Sequence, residues 1–351
     1  FLAIAEPGLQ MKKILVTGGA GYIGAHTIIR LAGSGYEPVI LDNFSNTDER
    51  VLKGLREILG RDVTLYRVNC TDREALDDVF RRERPDGVIH FAAYKAVAES
   101  VAEPLRYYHN NLLSLIHLLA CMEVHGCHDL VFSSSCTVYG QPKQNPVTEQ
   151  TPRLPANAPY GRTKQMGEDI ITDFCAAHPD FRCALLRYFN PVGAHESGLI
   201  GELPYGVPGN LVPFLTQVAA GVRSELVVFG NDYGTSDGSC IRDYIHVMDL
   251  AEAHVAALGY IRSGNPGCAI FNLGQGLGHS VLDVIKTFTD VTGVKVSYRI
   301  GDRRPGDVEQ IWADVALASQ ELRWKTTRTL SDALRDAWNW QVRLISESHS
   351  G

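Results

Sequence analysis

The sequence lacks the long apolar runs that indicate a membrane protein and the excess of positive charge that indicates a nucleic-acid-binding one. No stretch approaches the roughly 18 apolar residues of a membrane helix. Acidic residues outnumber basic ones, 40 against 33, and the formal net charge is -7. This balance argues against nucleic acid as the main partner, and an anionic small ligand would have to be held by local cations.

Cysteine is present, but in no paired framework. The eight cysteines are scattered along the 351 residues. Without a secretory signal, this usage is typical of the reducing cytoplasm, where we expect free thiols. Residues 1–10 precede Met11, which reads as the natural start, and their short apolar piece has no basic flank. We interpret them as an N-terminal extension rather than a signal peptide.

A glycine-rich turn follows the first strand pattern. Residues 13–17 (Lys-Ile-Leu-Val-Thr) form a buried β run, and Gly18, Gly21 and Gly24 follow with the spacing G-x-x-G-x-x-G before a helical pattern. Glycines in a strand–turn–helix unit let the backbone approach a pyrophosphate, which the helix N-terminus stabilises. The alternative is a tight turn with no ligand. The context favours a dinucleotide site.

The second strand ends in a carboxylate. Residues 38–41 lead into Asp42, about twenty residues after the glycines, where the dinucleotide fingerprint places an acidic side chain. Such a carboxylate accepts hydrogen bonds from the adenosine ribose and repels a 2′-phosphate. The sequence therefore favours NAD over NADP, against the alternative of an exposed strand-end Asp with no role.

Alternating strands and helices continue through the first half of the chain. Further strands are predicted at residues 63–68, 87–91, 129–132 and 182–189. This order predicts an α/β fold, a doubly wound parallel sheet of Rossmann type with right-handed crossovers. Ser133 and Ser135 follow the fifth strand, and ligands collect at the carboxyl ends of strands in such sheets. A hydroxyl-rich loop alone is also compatible with these serines.

Tyr160 and Lys164 are the residues with the clearest chemistry. They lie four residues apart at the start of a helical pattern, so they share a face of the helix. A phenol has an ordinary pKa of about 10 and is a poor base at neutral pH. A nearby ammonium, together with an oxidised nicotinamide, stabilises the phenolate and makes it usable as a base.

Beyond residue 190 the pattern changes. Glycine and proline concentrate between residues 193 and 213, and the predicted strands become short. We predict helices at 213–221, 247–261, from Ser280 and at 330–342, with strands at 226–229 and 294–300. The predicted organisation is the extension 1–10, an NAD-binding domain 11–190, and a smaller α/β domain 191–345, partly interleaved with the first.

Together these motifs resemble the extended short-chain dehydrogenase/reductase superfamily and, within it, the UDP-glucose 4-epimerases. The resemblance extends over most of the chain from Met11 to Val342. It rests on the segments Thr-Gly-Gly-Ala-Gly-Tyr-Ile-Gly (17–24), Phe-Ser-Ser-Ser (132–135), Pro-Tyr-Gly (159–161), Leu-Arg-Tyr-Phe-Asn-Pro-Val-Gly-Ala (186–194), Arg-Asp-Tyr-Ile-His-Val (242–247) and Arg-Arg-Pro-Gly-Asp (303–307).

The resemblance implies an NAD-dependent isomerase that interconverts UDP-galactose and UDP-glucose through a transient 4-keto sugar. Tyr160, Lys164 and Ser135 would be catalytic. NAD contacts would fall on Gly18, Gly21, Tyr22, Ile23, Gly24, Asp42, Asn43, Asn69, Cys70, Phe91, Ala92, Lys95, Asn110, Ser133, Tyr160, Lys164 and Tyr188. Substrate contacts would fall on Lys95, Ser135, Tyr160, Asn190, Asn210, Leu211, Phe229, Arg242, Tyr244, Arg304, Asp307 and Ile311.

Arg242 and Arg304 are natural candidates to hold a diphosphate in an acidic protein. The alternative is that they form structural ion pairs with Asp243 or Asp307. The resemblance also implies a homodimer, joined by the helices after Asn110 and after Tyr160.

Two positions depart from the family pattern. Asn69 stands where an Asp usually contacts the adenine, so weaker retention of NAD is expected at most. Ile311 occupies the position that sets pocket width beside the sugar 2-substituent, and its intermediate size leaves activity on N-acetylhexosamines open.

Other features are interpreted as structural. The run His125-Gly126-Cys127-His128 looks like a metal cluster, but a second pair of ligands is missing and no metal is expected. Cys136 has no evident activating base and is interpreted as a packed thiol. His90 is assigned to core or loop structure.

Two rivals remain beside the epimerase. A nucleotide-sugar 4,6-dehydratase would need acidic residues where Ser134 and Ser135 stand. A non-catalytic NAD sensor usually lacks the Tyr/Lys pair.

Overall fold

The computed structural model describes residues 11–265, 267–304 and 307–348. The predicted extension 1–10 lies outside them, as do Pro305 and Gly306 of the predicted Arg303–Asp307 segment. Within the described residues no helix is both long enough and apolar enough to span a membrane.

From β1 to β6 the strands alternate with helices, as predicted for the first half of the chain. In chain order the strands are β1 (Lys13–Thr17), β2 (Glu37–Leu41), β3 (Thr64–Tyr66), β4 (Gly87–His90), β5 (Asp129–Ser133), β6 (Arg182–Tyr188), β7 (Asn190–Val192), β8 (Leu226–Phe229), β9 (Ile241–Arg242), β10 (Tyr244–His246), β11 (Gly267–Leu273), β12 (His279–Ser280), β13 (Tyr298–Gly301) and β14 (Gln310–Ile311). The helices are α1 (Tyr22–Gly33), α2 (Arg50–Leu59), α3 (Arg73–Glu83), α4 (Val97–Ala102), α5 (Pro104–Val124), α6 (Pro159–Ala177), α7 (Leu211–Ala219), α8 (Val247–Arg262), α9 (Val281–Thr292), α10 (Ala316–Glu321) and α11 (Leu330–Ser348). A short 3-10 helix spans Cys136–Tyr139.

A seven-stranded parallel sheet forms the centre of the fold, which confirms the predicted fold class. Its strand order is β11-β6-β5-β4-β1-β2-β3. Ile14, Leu15 and Val16 of β1 are completely buried, because helices cover both faces of a parallel sheet. Helices α1 and α8 pack on one face, and α3, α5 and α6 on the other. The strand order reverses between β1 and β4, the position where open α/β sheets bind ligands.

The later part of the chain adds a smaller layer of short strands and helices. Helices α7, α9 and α11 form its apolar core with Val228 of β8 and Tyr244 of β10. The strand predicted at 294–300 is shorter and starts at Tyr298, and the final helix is longer than predicted. Helix α2 and strand β11 were not predicted. Strand β11 and helix α8 pack with the main sheet although they follow residue 190, and the division there stays a prediction.

Candidate active site

A cleft with a volume of about 800 Å³ opens where the strand order of the sheet reverses. Every residue expected to contact NAD lines it. The expected substrate residues divide into two groups. Those that line the cleft are Lys95, Tyr160, Asn190, Asn210, Arg242, Arg304, Asp307 and Ile311. The lining does not include Ser135, Leu211, Phe229 and Tyr244.

The glycine turn is a cradle that no larger residue fits. Gly18 has φ of +67°, and a Cβ there would lie 2.8 Å from the backbone N of Ala92. A Cβ on Gly24 would lie 2.3 Å from the Gly18 carbonyl oxygen. Gly21 is the N-cap of α1, and among the described residues no side chain caps this helix start. Its backbone N–H groups are therefore well placed for a pyrophosphate.

Asp42 stands at the end of β2 beside this turn. Its carboxylate accepts hydrogen bonds from the N–H groups of Ala20 (3.1 Å) and Phe44 (2.9 Å). Burial raises the pKa of Asp42, and the backbone hydrogen bonds oppose that shift. Each carboxylate oxygen can accept a further hydrogen bond, which suits a ribose diol. On the rim, the exposed Asn69 accepts from the Thr71 N–H at 3.1 Å through its amide oxygen.

Helix α6 presents Tyr160 and Lys164 to the cleft. Pro159 occupies its first position, so Tyr160 lies in the first turn and Lys164 one turn later. The two side chains are 8% and 5% exposed. The Lys164 Nζ donates to the Ser133 carbonyl oxygen at 2.6 Å and lies 6.0 Å from the centre of the Tyr160 ring. The Tyr160 phenol is hydrogen-bonded to the Ser135 side chain.

Burial controls the electrostatics of this pair. It raises the pKa of Tyr160 well above the ordinary value, while the hydrogen bond from Ser135 acts in the opposite direction. Burial also lowers the pKa of Lys164 to about 8, against the charge of Glu168. A buried phenol stays neutral at pH 7 unless more positive charge is placed beside it.

Ser133, the last residue of β5, forms with Ser134 and Ser135 a serine segment whose side chains point alternately to two sides. Ser133 Oγ lies 2.5 Å from the Tyr188 hydroxyl, and the Ser135 side chain contacts Tyr160. Ser134 points the other way and donates to Glu168 Oε1 at 2.6 Å. Ser133 therefore faces the cleft and Ser135 faces Tyr160, while Ser134 anchors the segment on the opposite side.

Glu202 belongs to the site and was missed by sequence reasoning. Its Oε1 accepts from Lys95 Nζ at 3.1 Å and from Asn210 Nδ2 at 2.8 Å. Its backbone oxygen accepts from the Trp340 indole N–H at 3.0 Å. Glu202 thus joins a residue expected to contact NAD to one expected to contact substrate. A single acid in a loop rich in glycine and proline carries no spacing signal that could have identified it.

Arg242 and Arg304, the two arginines expected to hold the diphosphate, lie near one carboxylate, that of Asp307. Arg304 donates to Asp307 through Nε (3.1 Å) and Nη2 (2.7 Å), and Arg242 Nη2 lies 3.7 Å from the same side chain. Asp243 is not their partner. Its carboxylate accepts from the backbone N–H groups of Gln275 and Gly276, and burial raises its pKa to about 6. Two arginines and one aspartate leave this end of the cleft positive.

The remaining expected substrate residues lie at or behind the wall. Tyr244 is 4% exposed and Leu211 is half-buried, and both pack in the core of the later part of the chain. Phe229 is 41% exposed at the end of β8, with the Arg304 guanidinium 5.6 Å from its ring centre. Ile311 is 3% exposed and packs in a cluster that includes Val138.

The features interpreted as structural have structural partners. His125 Nε2 lies 2.7 Å from Asp77 Oδ1. No group of three or more possible metal ligands occurs within the described part of the chain. Burial raises the pKa of Cys136 to about 12. His90 lies 2.7 Å from Thr17 Oγ1, and burial lowers its pKa to about 3.

Comparison with known proteins defines the class. Residues 14–274 match the model of the NAD dependent epimerase/dehydratase family. The UDP-glucose 4-epimerase of Bacillus subtilis is 53% identical over 328 residues, 93% of this chain and 96% of that protein. The UDP-glucose 4-epimerase of Dictyostelium discoideum is 49% identical over 94% of this chain and 95% of its own length.

A solved structure shares the fold over nearly the whole length. The UDP-glucose 4-epimerase of Bifidobacterium longum, in complex with NAD+ and UDP, superposes with a TM-score of 0.92 at 46% identity, covering 95% of this chain and 98% of that one. The chain therefore belongs to the NAD dependent epimerase/dehydratase family and, within it, to the UDP-glucose 4-epimerases.

Proposed function

We propose that this protein interconverts UDP-galactose and UDP-glucose by inverting the sugar at C4, with NAD as the retained cofactor. The observation that carries the proposal is the meeting of Tyr160, Lys164 and Ser135 beside the glycine turn, in a chain about half identical to named UDP-glucose 4-epimerases. A dehydratase would need a carboxylate in the serine segment. We found none there, since the segment is Ser133 to Ser135.

The residues of the cleft fit NAD. The glycine turn has no room for a Cβ at Gly18 or Gly24, and the start of α1 offers free N–H groups to the pyrophosphate. Asp42 would hold the adenosine ribose. When bound, NAD accepts a hydride from the sugar C4 and returns it to the opposite face of the ketone.

The chain itself moves the proton. Tyr160 takes the proton of the 4-hydroxyl, and Ser135, hydrogen-bonded to the phenol, passes it and orients the same oxygen. Lys164, fixed by the Ser133 carbonyl, supplies positive charge that stabilises the phenolate. Burial raises the pKa of Tyr160, and the positive charges of Lys164 and of the oxidised cofactor lower it. On the return step Tyr160 donates the proton back.

Substrate binding depends on the nucleotide end. Both faces of C4 must be presented in turn, so tight contacts to the hexose would oppose the reaction. We assign the diphosphate to Arg242 and Arg304, whose shared partner Asp307 leaves a net positive charge there. Leu211, Phe229 and Tyr244 do not line the cleft and would need side-chain movement to reach the substrate.

The test is incubation of the purified protein with UDP-galactose and no added cofactor, with products resolved by NMR. UDP-glucose formed to an equilibrium mixture supports both the activity and a retained NAD. Activity that appears when NAD is added locates a weak point in retention, for which Asn69 is the first candidate. No UDP-glucose under either condition overturns the proposal.

The proposal extends to the assembly. Helices α5 and α6 expose large apolar side chains that suit a second copy of the chain, namely Leu105, Ile116, Val124 and Met166. We propose a homodimer through these helices. Ile116→Glu should produce monomers in sedimentation experiments, and Val222→Glu, which alters an exposed side chain elsewhere, should not.

Location and domain organisation complete the proposal. All eight cysteines are free thiols in the structure, which supports a reducing compartment such as the cytoplasm. A role in galactose metabolism follows from the proposed substrate, UDP-galactose. We also retain the proposed division into residues 11–190 and 191–345. Limited proteolysis that cuts near residue 190 and leaves two stable fragments would support it.

A further inference from the structure

A buried ion pair lies directly beneath the serine segment. Glu168 of α6 and Arg187 of β6 are 2% and 3% exposed. Arg187 donates to Glu168 through both arms of its guanidinium, from Nε to Oε1 at 2.9 Å and from Nη2 to Oε2 at 2.6 Å. A bidentate pair of this kind fixes the orientation of both side chains.

The pair contacts the elements that carry Tyr160, Lys164 and the serines. Glu168 follows Lys164 by one helical turn and Tyr160 by two, so the three share a face of α6. Its Oε1 also accepts from Ser134 Oγ at 2.6 Å. Arg187 directly precedes Tyr188, whose hydroxyl contacts Ser133. The ion pair therefore holds α6, the serine segment and β6 in one arrangement.

Arg187 is in turn held from behind. Its Nη1 donates to the Tyr139 hydroxyl at 3.1 Å and to the Glu149 carbonyl oxygen at 3.3 Å. At the rim, Arg153 Nη1 lies 3.4 Å from Glu168 Oε2. With these partners Glu168 has little freedom to move, and neither does the Ser134 hydroxyl bound to it.

The carboxylate also sets the charge balance at Lys164. The titratable groups around Lys164 are Tyr160 and Glu168 on its own helix and His90 on β4. Tyr188 on β6 contacts the side chain of Ser133, the residue whose carbonyl oxygen accepts from Lys164. Burial lowers the pKa of His90 to about 3, so that ring is neutral at pH 7. Of these groups Glu168 supplies the negative charge, and it raises the pKa of Lys164 against the effect of burial.

We propose that Glu168 is a positioning residue of the epimerase site. Locked by Arg187, it anchors the serine segment through Ser134 and keeps Lys164 charged, so that Ser135 and Tyr160 meet the 4-hydroxyl in a fixed arrangement. This inference rests on the proposed function.

The test is Glu168→Gln, which keeps size and a hydrogen-bond acceptor for Ser134 but removes the charge. We expect kcat for UDP-galactose to fall at least tenfold while KM changes less than twofold. The alkaline limb of the kcat–pH profile should move to lower pH by about one unit, because a negative charge one turn from Lys164 is lost. A limb that stays in place overturns the electrostatic part of the proposal.

Asp169→Asn is the matched control. Asp169 is the next residue of α6, its side chain is 57% exposed, and it pairs with Arg153 rather than with Ser134 or Arg187. This variant loses one carboxylate from the same helix, and its kcat and pH profile should equal those of the wild type. A shift as large as that of Glu168→Gln would show a general charge effect and overturn the assignment to Glu168.

A double variant separates the loss of the Glu168 charge from the effect of an unpaired Arg187. In Glu168→Gln/Arg187→Gln the Glu168 charge is still absent, but no unpaired Arg187 cation is left behind, so the alkaline limb should stay at lower pH than in the wild type. A limb back at the wild-type position would assign the shift to the unpaired Arg187 and overturn the electrostatic role of Glu168.

Ser134→Ala keeps the proposal testable if Glu168→Gln does not fold, as judged by its melting curve and bound NAD. This variant removes the anchor alone, so kcat should fall about tenfold with the alkaline limb unmoved. A wild-type kcat would overturn the anchoring role. Wild-type protein is assayed in parallel, and its failure to form UDP-glucose would count against the proposed function rather than against Glu168.

Discussion

Replacement of Tyr160 by phenylalanine separates catalysis from binding and stability, because it removes one oxygen and keeps the buried ring. The ring is 8% exposed and its hydroxyl is hydrogen-bonded to Ser135. Loss of one such hydrogen bond costs about 1 kcal/mol of stability, too little to unfold a typical domain. Loss of a general base costs about 10²- to 10⁴-fold in rate, which corresponds to about 3–5 kcal/mol of barrier.

NAD should stay bound in this variant. The glycine turn and Asp42, to which we assign the pyrophosphate and the adenosine ribose, make no contact that depends on the Tyr160 hydroxyl. The assay follows UDP-glucose formation from UDP-galactose by NMR. The NAD released from the denatured protein is measured in the same samples, so that loss of turnover can be compared directly with cofactor content.

Tyr66→Phe is the control for this variant. The Tyr66 hydroxyl donates to Glu83 Oε1 at 2.6 Å, and the residue does not line the cleft. Its loss should cost similar stability and leave turnover unchanged. If Tyr160→Phe kept more than a tenth of wild-type kcat with its NAD in place, Tyr160 would not be the base.

Three further predictions concern the cofactor, the substrate and the response to pH. Gly24→Ala places a Cβ 2.3 Å from the Gly18 carbonyl oxygen, so the turn must shift and the purified protein should lose its retained NAD. A variant that keeps its full NAD content would contradict the assignment of the glycine turn to NAD binding. Arg242→Gln should raise KM for UDP-galactose roughly 10- to 100-fold without loss of NAD, since a charge-assisted hydrogen bond contributes about 1.5–3 kcal/mol, and an unchanged KM would remove Arg242 from the diphosphate site. Burial lowers the pKa of His26 and of His90 to about 3 and that of His254 to about 4. In the unfolded state these histidines have a pKa of about 6.5, so below that pH the unfolded state binds more protons than the folded state. The folded state binds a proton at Asp243, whose pKa is raised to about 6, and this offsets one of the three histidines. The free energy of unfolding should therefore fall by roughly 3 kcal/mol for each pH unit below about pH 6, which would be seen as a falling melting temperature. A melting temperature that stays constant from pH 7.5 to 5 would contradict this.

The elements predicted best are those whose signal is local. Strand β1, the glycine turn and α1 follow from a short apolar run, glycine spacing and helical periodicity, and β1 and β8 have the predicted bounds. Strand β11 was missed because its place in the main sheet depends on pairing with β6, which lies about eighty residues earlier in the chain. Nothing in the local pattern of Gly267–Leu273 shows that the chain returns to the first sheet.

The same distinction applies to the site. Tyr160 and Lys164 could be found because their spacing places them on one helix face, whereas Glu168 on that face looks like an ordinary solvated charge. Its role depends on Arg187, nineteen residues later on a different element. Glu202 likewise acquires its partners through the fold. Charged residues with distant partners are therefore where sequence reasoning failed.

The distribution of charge along the cleft suits a reaction that must present two faces of one sugar. The positive end, at Arg242 and Arg304, belongs to the later part of the chain, and the proposed base Tyr160 with Ser133 and Ser135 belongs to the first. The lining also includes Ile311, a buried aliphatic side chain that can neither donate nor accept a hydrogen bond. An apolar side chain favours neither orientation of a ketone, so Ile311 would not hold the sugar in one orientation. The binding free energy then comes mainly from the uridine diphosphate group, and the barrier to rotation of the sugar stays low.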